Sequence, residues 1–374
     1  MSNEIATVAN VAGTVELNPV VLPQGPNHEE LLKEIARLKG LVSVAENSYG
    51  LTVEKLQKKV KDSLLPWGKT LVKIPSEIET IDDIMGFAGL NYGVVKKPSY
   101  IIDGTDDNGN PILRETKGFS IQRADTGEVL SNVGPDYTPL QNSERFGFLQ
   151  KQLEEKKITI EYAGDLKTGQ KTVIIAKINA PNGIIRVGDE IGRYMVFSDT
   201  YDGLQSVRGA VMGLRLRCYN GAISQDNIFS MRIRHHANVA RKVEAIADEL
   251  QYANESLDKL FEQYTFLASK PFKQDSQLIE YVKTVMGFEE KPDETSGQLM
   301  LPTRSKNTID NIISKIHSGR GNGQGSWFDA YNGITEHFNH ERGREEQTRL
   351  NSLLFGQSNR ESRVALEVAL KMAS

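Results

Sequence analysis

The chain has 374 residues, 39% of them hydrophobic and 25% charged, with a formal net charge of -4. That length buries a real core, as one large or two modest domains, and the slight negative balance excludes a protein that coats nucleic acid through bulk charge, so any such binding needs a local basic patch. A single cysteine, Cys218, excludes internal disulfides and Cys-rich zinc sites and fits a reducing cytoplasm, while the lack of a basic-then-apolar leader, or of any run nearing the roughly 18 to 20 apolar residues of a membrane span, predicts a protein neither secreted nor inserted.

Residues 1–26 are polar, without sustained period, and end in "LPQGPN", which reads as a poorly ordered leader. Residues 27–65 read as a helical arm, with Leu31, Ile35 and Leu38 and then Leu51, Val53, Leu56 and Val60 at helical spacing among Lys and Glu. A sheet-rich core is expected over 66–270. It opens with a capping box, Ser76 with Glu79, before the helix "EIETIDDIMGFAGL". An extended stretch, "NYGVVKKPSYIID", leads into two hairpins that turn at "DDNGN" and "DTGE", where Asn-Gly and Thr-Gly accept the backbone angles required. After the helix "SERFGFLQKQLEEK" come the strands "KTVIIAKI", "IIRVGDEI", "RYMVFSD", the stretch "SDTYDGLQSVRGAVMGLRLRCYNGAI" and "IFSMRIRHH".

Then Val239, Val243, Ile246, Leu250, Ala253, Leu257, Leu260, Tyr264 and Leu267 alternate spacings of four and three, about four heptads of one helical seam. Such a helix, 236–268, packs either on its own sheet or against a second copy, and a homo-oligomer through it is expected. Residues 271–374 read as a helical C-terminal region broken by "EEKPDETSG" and "GRGNGQGS". The whole predicts an α+β fold: an antiparallel sheet core with a long heptad-seamed helix packed on it, an N-terminal helical arm and a C-terminal helical region.

Strand side chains alternate in direction. Ala210, Met212, Leu214, Leu216 and Cys218 therefore fall on one side, and Val207, Gly209, Val211, Gly213, Arg215, Arg217 and Tyr219 on the other. The next strand repeats the arrangement, with Phe229, Met231 and Ile233 opposite Ser230, Arg232, Arg234 and His236. Between Leu204 and Lys242 the cations Arg208, Arg215, Arg217, Arg232, Arg234, Arg241 and Lys242 face the single anion Asp226, a local excess of about six charges. Guanidinium groups fork onto phosphate and stack on bases, and Tyr219 adds a stacking surface, so the pattern suits a groove for a polyanion. The alternative is a solvated face whose arginines pair with acids elsewhere in the chain.

Other constellations are weaker. Asp189, Glu190, Asp199 and Asp202 could serve as Mg2+ ligands of a nuclease, but Asp202-Gly203 is a natural turn and no catalytic lysine spacing accompanies them. His337 and His340 stand three apart on a predicted helix, which suits either a shared metal or a partly buried helix end. "GRGNGQGS" precedes a helix whose Trp327, Tyr331, Ile334 and Phe338 form an apolar stripe; it reads as a connector or as amides open to a phosphate. The chain lacks a P-loop, a Gly-x-Ser-x-Gly elbow and a recognised Cys-His dyad. No enzyme, cofactor or metal site is expected.

Five segments, "IDDIMGFAGLNYGVVKKPSY", "DTGEVLSNVGPDYTPLQN", "YAGDLKTGQKTVIIAKI", the Arg-rich stretch and "WFDAYNGITEHFNHERG", followed by "LLFG" and a closing Ala/Leu helix, resemble the phage and plasmid proteins grouped as domain of unknown function 932, over about 76–374. The family commonly has His-Asp-Gly and Cys-x-Asn-Thr in the fourth segment; here Tyr201 replaces that histidine and Gly221 follows Asn220. The resemblance implies a mobile-element protein in the bacterial host cytoplasm. The order of strands followed by a long helix is similar to ring-forming single-strand annealing proteins, which implies non-enzymatic binding and annealing of single-stranded DNA in recombination or replication, with a phage or host replication or recombination protein as a possible partner. A protein-interaction factor acting against a host defence system is the other reading of an acidic chain without catalytic motifs.

Overall fold

A computed structural model describes residues 65–201, 208–217, 220–230, 239–292, 298–343 and 345–374. The expected leader and almost all of the arm, 1–64, lie outside the described residues. In chain order the elements are β1 (Val72–Lys73), α1 (Ile81–Phe87), β2 (Val94–Thr105), β3 (Pro111–Arg123), β4 (Val129–Val133), α2 (Asn142–Phe146), a 3-10 turn (Gly147–Leu149), α3 (Gln150–Glu154), β5 (Ile158–Leu166), β6 (Lys171–Ile178), β7 (Gly183–Arg186), β8 (Asp189–Thr200), β9 (Arg208–Arg215) and β10 (Asn220–Ser230). They continue with α4 (Val239–Ser269), α5 (Asp275–Met286), β11 (Lys291–Pro292), β12 (Leu299–Met300), α6 (Thr303–Ser318), α7 (Trp327–Glu336), a π-helical turn (His337–Glu341), α8 (Glu346–Phe355) and α9 (Gln357–Ala373).

The α+β class is as the sequence predicts. The main sheet runs β1-β5-β6-β8-β9-β10 with β7 beside β8, and every pairing in it is antiparallel. β8 is buried from Ile191 through Asp199 and β9 from Gly209 through Arg215. Such unbroken burial means both faces are covered, unlike the half-wet antiparallel sheet with its in-out alternation. On one face Tyr162, Val173, Ile175, Tyr194, Val196, Ala210, Met212 and Leu214 form a core with Trp67, Leu71 and, from α8, Leu350 and Leu354. That is the apolar face expected for β9. On the other face Gly213 lies against Leu257 and Leu260 of α4, and Arg193 of β8 pairs with Asp258 of the same helix at 2.6 Å.

From Ala253 onward the heptad stripe of α4 is therefore buried within the chain, with Leu257, Tyr264 and Leu267 between 0% and 2% exposed. Tyr264 stacks with Phe328 and Tyr331 of α7, at 5.3 and 5.4 Å between ring centres. Trp327, on the apolar stripe of α7, is a core residue at 2% exposure and meets Tyr281 of α5 edge-on.

Two local expectations are corrected. The first helix is capped by Thr80, whose Oγ1 accepts from the Asp83 amide at 3.2 Å, and not by Ser76 with Glu79. A Thr-x-x-Asp box four residues on from the expected one, directly before buried Ile81 and Ile84, takes the role. The segment "SERFGFLQKQLEEK" is broken into α2, the 3-10 turn and α3, because Gly147 interrupts it at low helical propensity. The second sheet, β2-β3-β4, carries both hairpins where expected: Asp106 Oδ1 accepts from the amides of Asn108 and Asn110 in the first turn, and Gly127 adopts a φ of 72° in the second.

Candidate functional site

The structure separates the cationic residues that the strand alternation groups together. Arg215 is 1% exposed and closed onto Asp189, the first residue of β8: Nε donates to Oδ1 at 2.7 Å and Nη2 to Oδ2. Its other protons go to Gly321 O at 2.8 Å and Asn322 Oδ1 at 2.8 Å. Arg186 of β7 joins the same cluster, donating to Asp189 at 3.1 Å and to Asp329 of α7 at 2.6 Å. Both guanidiniums lie over the Phe328 ring, at 4.8 Å for Arg215 and 5.5 Å for Arg186. Two arginines and two aspartates thus form a buried, mutually neutralising set. The expectation of an unpaired Arg215 lining an open channel is corrected: direction was right, but a helical layer and Asp189 close that face.

Arg217 is exposed, and it is not on the strand. β9 ends at Arg215, Leu216 and Arg217 form a turn, and β10 pairs back with Asn220 opposite Arg215. The stem of Arg217 rests on Gly321, whose absent Cβ would lie 2.9 Å from Arg217 Cδ. Arg208 is half-buried at the far end of β9, opposite Ser198 and Ser230. Tyr219, Arg232, Arg234 and His236 lie outside the described residues. Arg241 and Lys242 fall in the first turn of α4, where only the backbone is described.

The glycine-rich loop 319–325 is held and is no free connector. Gly321 O accepts from Arg215 and Arg186, Asn322 Nδ2 donates to Lys315 O at 3.0 Å, and Gly325 O accepts from the Phe272 amide at 3.1 Å. Gly321, Gly323 and Gly325 all have positive φ, a path that side-chain-bearing residues take only with strain. The amides ahead of α7 are already occupied, since Asp329 Oδ2 accepts from Gln324 N and Ser326 N at 3.1 Å each in a capping box. A phosphate has no open helix terminus there. The signal for this acid was present in the sequence as Ser326-x-x-Asp329.

Of the carboxylates considered for a metal, Asp189, Glu190 and Asp199 are likewise engaged, Glu190 accepting from Asn182 Nδ2 at 2.9 Å, and Asp202 lies outside the described residues. Asp189 is in the arginine cluster, and Asp199 accepts from Arg145 Nε at 2.6 Å. Burial opposes the charge on Arg145, yet Asp199 more than offsets it and holds the guanidinium above its usual range. Among the described residues no three His, Cys, Asp or Glu side chains are placed to share a metal ion. Tyr201, standing where the resembling family commonly has histidine, is fully buried; its hydroxyl donates to Asn142 Oδ1 at 2.9 Å and its ring lies 4.0 Å beneath the Arg145 guanidinium.

At the same loop, the π-helical turn lines a cleft of about 310 Å³ whose rim includes Lys69, Arg320, His340 and Arg349. A π turn is rare and often accompanies a functional site. Two of its acids are paired, Glu341 with Lys315 at 2.5 Å and Glu346 with Lys69 at 3.0 Å. Burial raises Glu336 above the ordinary carboxylate range. Burial, then the charges of Arg320 and Arg349, push His340 down to about 4. Sequence reasoning noted His337 and His340 but not the arginines that surround the latter, because those stand 20 residues before and 9 residues after it, beyond one helical face.

Fold and site together define an α+β protein with a doubly covered antiparallel sheet and two cationic features at the loop 319–325, the Arg217 turn and the Arg320–Arg349 cleft. Residues 129–355, more than half of the chain, match the family Domain of unknown function (DUF932), and the protein belongs to that family. The match runs from β4 to the end of α8 and is narrower than the 76–374 over which a resemblance is read from the sequence. No curated protein and no solved structure matches the chain. No described helix is long and apolar enough to cross a membrane.

Proposed function

We propose that the protein is a non-enzymatic binder and annealer of single-stranded DNA, acting for a phage or mobile element in the bacterial host cytoplasm. The observation that carries this reading is the exposed Arg217, its stem braced on Gly321 beside the exposed Arg320, on a surface contributed by two segments distant in sequence. The local excess of cations between Leu204 and Lys242 supports it further, with Arg215 now assigned to bracing the loop and not to contacting phosphate. A single strand laid across the β9–β10 turn meets guanidinium at its phosphates and leaves its bases outward for pairing. Self-assembly belongs to this reading, but the α4 stripe from Ala253 onward is not available to it, being covered by the chain's own sheet and α7.

Binding of a labelled 5′-hydroxyl oligonucleotide across a salt series tests it. The logarithmic slope should steepen by about 0.7 per phosphate neutralised, and Arg217→Ala should remove about one such increment. A flat salt response, or an unchanged slope in Arg217→Ala, rejects the reading.

One observation favours the second reading, a phage-encoded protein-interaction factor acting against a host defence system. The β2–β3 arm exposes Tyr100, Ile101, Ile102, Ile112 and Leu113, and its cross-strand pair Ile102 and Leu113 is 71% and 60% exposed. Apolar side chains clustered on a projecting hairpin mark protein contact surfaces. Under this reading Ile102→Asp with Leu113→Asp abolishes nuclease-resistant capture of a partner and leaves oligonucleotide binding unchanged.

A further inference from the structure

We propose that the cleft between Arg320 and Arg349 binds a phosphomonoester group; it adjoins the strand-binding surface at Arg217, with which it shares Arg320. The cleft, at about 310 Å³, has the size of a small-molecule site. Its polar lining is built and incompletely used. Nε of Arg349 is buried without a hydrogen-bond partner, and its closest carboxylate oxygen, on Glu346, is 3.9 Å from Nη2 and already holds Lys69. Arg320 is exposed, and none of the described carboxylates forms an ion pair with it. The Oε2 of Glu336 is buried and unpartnered as well.

Charge distribution selects an anion. The lining carries Lys69, Arg320 and Arg349 against Glu336, Glu341 and Glu346; Lys69 already neutralises Glu346, and Lys315, which is not part of the lining, neutralises Glu341, so the two arginines are left against Glu336 alone. Burial raises Glu336 above the ordinary carboxylate range, while the charges of Lys315 and Arg320 pull it back down. His340 stays uncharged beside two guanidiniums, so the excess at the rim is on the arginines. Two forked donors converging on one tetrahedral dianion is the arrangement that recognises phosphate. Leu65 and Pro66 complete the wall with apolar surface, which fits a phosphate bearing an organic substituent better than the free ion.

A phosphomonoester comes either from a free nucleotide or from the 5′ end of a strand, and calorimetric titration of the full chain separates them. The probes are inorganic phosphate, a nucleoside 5′-monophosphate, and one oligonucleotide carrying a 5′-phosphate or a 5′-hydroxyl. Binding of the monophosphate, weakened about tenfold or more in both Arg349→Met and Arg320→Ala, supports the site with a free nucleotide as its ligand. Tighter binding of the 5′-phosphorylated oligonucleotide than of its hydroxyl twin, with the difference lost in Arg349→Met, supports the site with a strand end as its ligand. Arg320 is exposed, so its substitution leaves the fold intact even where Arg349→Met unfolds. The proposal is overturned when neither binding of the nucleoside monophosphate nor the gain from a 5′-phosphate on the oligonucleotide is weakened in the two variants. Binding of the 5′-hydroxyl oligonucleotide depends on Arg217 and should survive Arg349→Met, so failure of one site does not carry the other with it.

Discussion

The guanidinium of Arg215 and the carboxylate of Asp189 meet in a two-point contact, 26 residues apart in sequence, where neither side chain is more than 2% exposed. Removing one member strands a buried charge, a loss of roughly 3 to 5 kcal/mol, whereas replacing both by apolar groups can approach neutrality. Asp189→Ala should be the worse single substitution, because Arg186 also depends on that carboxylate. Urea unfolding of Arg215→Ala, Asp189→Ala and the pair Arg215→Met with Asp189→Leu measures this; single variants that unfold like wild type contradict the assignment.

The approach of α6 to α7 gives a second expectation. A Cβ on Gly333 would lie 2.4 Å from Ile316 Cγ1 and 2.9 Å from the Ile316 backbone nitrogen. Alanine normally gains about 1 kcal/mol over glycine inside a helix. Here overpacking against backbone should reverse that sign and cost about 1 to 3 kcal/mol. Thermal unfolding of Gly333→Ala decides it, and a raised midpoint refutes the close contact.

Asn142 gathers three buried polar groups. Its Oδ1 accepts from Tyr201 at 2.9 Å and Thr172 at 3.0 Å, and its Nδ2 donates to Leu90 O at 2.9 Å. Tyr201→Phe removes one hydrogen bond and should cost about 1 kcal/mol. Asn142→Ala leaves all three partners unmet and should cost at least twice as much. A double variant whose loss is smaller than the two single losses added together would show that the contact is shared.

These contacts mark how far the sequence could be read. The strands Lys171–Ile178 and the turns at Asn108-Gly109 and Thr126-Gly127 were legible because local backbone preference decides them. β5, with Ile158, Ile160 and Tyr162 alternating toward burial, carried the same signal and is absent from the sequence reading. Alternation also gave the side on which Arg215 stands. It could not give what covers that side, because Asp189, Gly321 and Asn322 reach Arg215 from 26, 106 and 107 residues away. Direction is local and neutralisation is long-range, so a basic pattern on a strand was equally compatible with a ligand groove and an internal clamp. The cleft was invisible for the same reason, since Arg320, His340 and Arg349 come together only through the packing of the loop, the π turn and α8.

The cleft also sets a pH dependence. His340 is held down to about 4 in the folded chain, from an ordinary 6.5, by burial first and then by Arg320, Arg349 and Lys315, with Glu341 pulling the other way; His337 is lowered in the same sense, chiefly by burial. Between those two pH values the unfolded chain binds the proton and the folded chain does not, so the slope of unfolding free energy against pH is positive. Full stability should therefore hold above about pH 6.5 and decline as the pH falls toward 4, by on the order of 1 to 3 kcal/mol for this imidazole. His340→Gln, which cannot be protonated, should flatten that part of the profile while the carboxylate losses at lower pH remain. Urea midpoints at intervals from pH 7 to pH 4 for wild type and variant make the comparison, and parallel profiles would show that the imidazole is not the group that titrates there.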